Sequence, residues 1–164
     1  MVHDEDLLLA VLNSAPVVDG TQTDALQGAG GSELVERFGG TGSAEEMFCV
    51  RQVRDLLHEV IRDGVDVTEL TSIVSSAALT PQVTATGIAW ELQAPPDERL
   101  AIRAALAWSD VIQKLPGRLR ACANTECNLF LIDHSRPGSA RWCSMATCGN
   151  RMKARSHARR QRTA

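Results

Sequence analysis

The 164-residue chain is 44% hydrophobic, which supplies a core of ordinary size and excludes an intrinsically disordered chain. Its net charge of −3 hides a division: residues 1–113 carry 18 acidic against 6 basic side chains, or −12, and residues 114–164 carry 2 against 11, or +9. An acidic body joined to a basic tail predicts a polyanionic partner for the tail.

The first apolar run, Leu7–Leu12, is a buried segment whose type the sequence leaves open. It is too short for a signal-peptide core or a membrane span, so a soluble cytoplasmic protein with no membrane partner is expected. Asn13–Gly20, with Pro16 and Gly20, reads as loop. Residues 28–42 hold six glycines around a short helical candidate, Glu33–Phe38. No phosphate-loop pattern is completed there, so a flexible connection is expected.

Ser43 and Glu46 form a capping box, and Met47, Val50, Val53, Leu57, Val60 and Ile61 recur at helical spacing up to Gly64. Cys49 and His58 lie on this helix as packing or surface residues. A second helix is expected over Val67–Leu79, ended by Pro81. Beyond it, alternation through Val83, Ala85, Ile88, Trp90 and Leu92 changes phase at Thr86-Gly87, which implies a bulge or a tight hairpin. Asp97 should cap a final helix with an apolar side of Leu100, Ala104, Ala107, Trp108, Val111, Ile112 and Leu115. Lys114-Leu115-Pro116-Gly117 marks a boundary between domains 1–113 and 114–164.

The body shows no catalytic constellation. Its histidines are scattered with the others at 3, 58, 134 and 157, no G-x-S-x-G occurs, and no carboxylate pair stands out, so no enzyme is expected.

Cys122, Cys127, Cys143 and Cys148 are spaced C-x4-C-x15-C-x4-C. Two chelating loops joined by a small hairpin would bring four thiolates together, the set that one structural zinc prefers, with no position left for a catalytic water. Two disulfides or an iron–sulfur cluster are the alternatives. About fifty residues with few large apolar groups can hardly make a core alone, so the metal should supply folding energy. Asp133 and His134 are surplus to the ligand set and lead from a strand, Leu129–Ile132, into a turn at Ser135-Arg136-Pro137-Gly138.

From Ala146 to Arg162 the chain favours helix, and at about 100° per residue Arg151, Arg155, Arg159 and Arg162 fall on one stripe. Lys153 and Arg160 lie on the opposite side, as suits a helix between two phosphate walls. Arg136 and Arg141 could add phosphate contacts. Asn150 could read adenine or cap the helix. DNA is the expected partner; an RNA-binding zinc module is the second candidate, and a protein-interaction zinc module the third.

The segment RWCSMATCGNR, Arg141 to Arg151, resembles the signature of the CGNR zinc-finger family, and LFLIDHSRPGSARWC resembles that family's link between its cysteine pairs. This likeness covers roughly residues 117–160. The body resembles the ABATE domain that precedes this finger, through LLLAVLNS and Asp19-Gly20. The family's first motif reads like LDLVNT, so Leu9–Ser14 is a diverged copy in which Asn13 corresponds to the motif's Asn. The resemblance implies a stress-related transcriptional regulator with an α/β amino-terminal domain, and we read that acidic domain as an effector-sensing or dimerisation module. The fold class expected is α+β: a mostly helical body with a small β element, then a four-cysteine finger ending in a basic helix.

Overall fold

The computed structural model describes residues 4–162, so His3 lies outside the described residues. The apolar run of undecided type is a helix, α1 (Glu5–Leu12), because its Leu7, Leu8, Val11 and Leu12 then fall on one buried side. The longest helix, α3 (Ala44–Asp63), begins where Ser43 Oγ accepts a 3.0 Å bond from the Glu46 amide. It ends at Gly64, whose φ of 68° is the left-handed stop expected of glycine. With α5 (Arg99–Lys114), these helices enclose the core, in which Leu8, Leu12, Val53, Leu57 and Ala104 are fully buried. Arg54, 4% exposed, grips both oxygens of Asp24 at 2.7 and 3.2 Å and so pins the first loop to α3. That loop holds a minimal antiparallel pair, β1 (Val17–Val18) and β2 (Thr21–Gln22).

Four expectations are corrected. The helical candidate Glu33–Phe38 is part of a longer helix, α2 (Gly28–Arg37), seated on α3, so the first ten residues of the glycine-rich stretch are not a flexible connection. Gly31 is buried against the Leu26 backbone and Met47, where no Cβ would fit, so that glycine serves close packing. The helix expected over Val67–Leu79 is only a 3-10 turn at Val67–Leu70 and one turn of α4 (Thr71–Val74). Pro81 lies inside a strand, β3 (Ala78–Thr84), paired with β4 (Gly87–Gln93) in a two-stranded hairpin; either strand is an edge, where a missing amide is tolerated. The phase change at Thr86-Gly87 is the tight turn of this hairpin. Asp97 does not cap α5, because Ser43 and Thr41 hydroxyls occupy its carboxylate at 2.6 and 3.0 Å. Finally, Ile112 is 39% exposed, and Ile102 fills the core instead.

The four-cysteine region is carried on β5 (Leu119–Ala121) and β6 (Phe130–Ile132), antiparallel with Ala121 opposite Phe130. Phe130, 2% exposed, inserts into the core of the body. Asn13, just past α1, clamps it: its Oδ1 accepts from the Phe130 amide at 2.7 Å and its Nδ2 donates to the Phe130 carbonyl at 3.3 Å. His58 donates from Nε2 to the Leu12 carbonyl at 2.8 Å and packs its ring on Phe130 at 4.6 Å. Burial pushes the imidazole below its ordinary pKa and keeps it neutral there. The fold class is α+β, and no helix of the described residues is long and apolar enough to cross a membrane.

Candidate metal centre and basic helix

The hairpin β5–β6 ends beside the first cysteine, and the Cys122 amide donates to the Leu129 carbonyl at 2.8 Å, which closes the first chelating loop. Within that loop the Cys127 amide donates to the Asn124 carbonyl at 2.9 Å. The second pair lies at the start of a helix. Ser144 accepts from the Ala146 amide, and the Gly149 amide reaches back five residues to the Ser144 carbonyl at 2.9 Å, a π-turn over Met145–Gly149. The wide turn runs straight into α6 (Asn150–Arg162) and swings Cys148 inward.

All four sulfur atoms lie within 4.8 Å of one another, and Cys127 and Cys143 are 3.7 Å apart. Tetrahedral zinc with bonds of about 2.3 Å places its sulfurs about 3.8 Å apart, so the spacing fits the ion. None of the four is in a disulfide. The sulfurs also have amide donors, since the Cys143 N–H and the Asn124 Nδ2 reach Cys122 Sγ and Cys148 Sγ, each at 3.4 Å. Such bonds disperse the negative charge of a four-thiolate site. Burial pushes the Cys127 and Cys143 thiols up; it also opposes ionisation of Cys148, where the Asn124 amide and the neighbouring thiols outweigh it and bring the pKa down. A divalent cation at their centre stabilises all four as thiolates.

Residues 118–161 match the family model of the CGNR zinc finger. No curated protein matches the chain. The match and the convergent thiols together show a zinc-binding module with one structural zinc, held by Cys122, Cys127, Cys143 and Cys148.

The loop between the two ligand pairs folds around Asp133, 3% exposed. Its Oδ1 accepts from the Ser135 hydroxyl and amide at 2.6 and 2.9 Å, its Oδ2 from the Ala140 amide at 2.9 Å, and Arg118 and Arg120 stand at 3.7 Å. The Ser135 hydroxyl, against the opposing effect of burial, leads these groups in lowering the carboxyl to about 2. His134, set outside the ligand set, bonds Glu5 of α1 at 2.9 Å.

The expected nucleic-acid contacts lie in the turn between the ligand pairs, beside Trp142, and along α6. Arg136 is exposed in the turn, which the Gly138 amide closes on the Ser135 carbonyl at 3.2 Å. Arg141 stacks its guanidinium 5.4 Å from the Trp142 ring. Arg151, Lys153, Arg155, Arg159, Arg160 and Arg162 are all exposed on α6. Arg155 is held by Glu126 of the first chelating loop at 2.8 Å, so one cation of the stripe is tied to the finger. Asn150 is exposed but does not cap the helix, because Ser144 begins it six residues earlier. Sequence reasoning missed Asn124, whose only signal was its place inside the chelating loop Cys122-Ala-Asn-Thr-Glu-Cys127. It also missed Phe130 as the tie to the body.

Proposed function

We propose that the protein is a cytoplasmic, non-enzymatic, DNA-binding transcriptional regulator whose zinc finger aims α6 at the phosphate backbone. One observation carries this reading. Six basic and no acidic side chains lie along the 13 residues of α6, none of which is buried, and the helix grows from the turn that holds a zinc ligand. A helix rooted on a metal site presents its cations with little further loss of conformational freedom on binding. Asn150 and Arg151 lead the helix, with Arg136 and Arg141 flanking it. The body serves as an effector-sensing or dimerisation module; the ABATE-like stretch containing Asn13 supports a role in stress-related regulation. RNA is the weaker reading, because Phe130 is buried in the core and Trp142 is the remaining aromatic ring of the finger for base stacking.

The experiment is a titration of labelled duplex DNA at several salt concentrations. Full-length protein that neutralises about five phosphates should show a slope of roughly −4.5 in log affinity against log salt. Replacing Arg151 and Arg155 with Ala should weaken binding and flatten that slope by about 2 while one zinc is retained. Cys148→Ser should lose both zinc and DNA. Unchanged affinity and slope in the double arginine variant would refute the proposed role of α6.

A further inference from the structure

The hairpin β3–β4 carries an apolar face with nothing packed over much of it. Its register pairs Leu79 with Leu92, Pro81 with Trp90, and Val83 with Ile88, and alternation puts these six on one side. The other side bears Thr80, Gln82, Glu91 and Gln93. Val83 is 88% exposed, Ile88 69%, Trp90 58% and Leu79 45%. Near its root the apolar side overhangs Leu106 and Ala107 of α5, leaving a cleft of about 280 Å³ with the Asp4–Arg103 ion pair at the edge. An isolated two-stranded hairpin is marginal in water, so a cover for this face would stabilise it.

We infer that this face is the contact between two copies of the chain, with each hairpin laid antiparallel on the other so that the tip of one fills the cleft of its mate. Charge selects the occupant. Residues 70–90 contain no charged side chain, in a body that carries −12, so this is where two such bodies can touch without bringing carboxylates together. The same composition disfavours a nucleic acid, and the flanking Glu69 and Glu91 disfavour an anionic lipid surface. Area agrees: the four exposed apolar side chains present on the order of 500 Å² per copy, so mutual stacking would remove about 1,000 Å², near the threshold for a specific interface. Geometry agrees as well. A two-fold axis across the hairpins sets Val83 and Ile88 of each over Leu79, Trp90 and Leu92 of the other, a self-complementary contact that closes at two.

The test is sedimentation of the full-length, zinc-loaded protein from about 1 to 100 μM, a usual range for modest interfaces. The expected result is a species of twice the chain mass, converted to monomer by Val83→Glu with Ile88→Glu, with at least a hundredfold weaker association. Both positions are exposed, so far-UV circular dichroism and zinc content should be unchanged. A wild-type monomer over the whole range would overturn the inference, as would a dimer indifferent to the two glutamates. Flotation with neutral vesicles of a protein that stays monomeric would assign the hairpin to lipid and overturn it too. Mass is read without DNA, so this result is independent of the DNA-binding reading.

Discussion

Asp133 organises the link between the two cysteine pairs by accepting hydrogen bonds from Ser135 and Ala140 while Arg118 and Arg120 stand over it. Removing its charge leaves those donors without an anion to converge on. Its carboxyl is lowered to about 2, below the value of about 3.9 for an unfolded aspartate. A depressed pKa contributes stability that is present above the unfolded value and disappears as pH falls toward the folded one. Asp133→Asn should therefore lower the melting temperature by a constant amount between about pH 5 and 7, and the gap should close on acidification below about pH 4. Calorimetry of both proteins at matched zinc occupancy measures it. A gap that stayed constant down to pH 2 would show that the carboxylate's charge contributes nothing.

Neighbouring glycines of α2 make opposite demands on the helix. Gly30 faces solvent and a Cβ added there would come no closer than 4.0 Å to its neighbours, whereas at Gly31 it would lie 2.7 Å from the Leu26 backbone. Gly30→Ala should stabilise the protein by about 0.5–1 kcal/mol through helix propensity, and Gly31→Ala should destabilise it by about 1–3 kcal/mol through overpacking. Urea unfolding of the two variants gives the signs, and a shared sign would disprove the packing role of Gly31. The pair also shows where sequence reading stops. Capping by Ser43, the stop at Gly64 and the four ligand cysteines were legible because each rests on local spacing. The role of Gly31, the capture of Asp97 by Ser43 and Thr41, and the strand through Pro81 depend on partners remote in sequence, which local composition does not encode. Asn150 fell between these cases: the helix was legible, but the π-turn that moves its start to Ser144 was not.

Across the whole molecule, body and finger share a core through Phe130, and Asn13, Ala15, Glu5 and His58 hold the finger from the body's side. Leu119, Ala121 and Ile132 pack against the same core, so the finger's apolar groups, too few for a core alone, are covered by the body. Two stabilisers therefore act on one hairpin, zinc at the end beside Cys122 and the body along its apolar side. Zinc in such modules contributes on the order of 10 kcal/mol, and whatever binds only the folded state raises the melting point of every element coupled to it. Chelating the zinc should free β5 and β6, withdraw Phe130 from its slot, and leave a cavity whose cost resembles a Phe→Ala substitution, about 3–5 kcal/mol. The helical signal, which comes largely from α1, α3 and α5, should then melt at a lower temperature after chelation, as it should in Phe130→Ala with zinc still bound. Circular dichroism at 222 nm of the intact chain, with and without chelator, tests this coupling. A body that melted at the same temperature in all three samples would mean that the contacts around Phe130 carry no energy between the two halves.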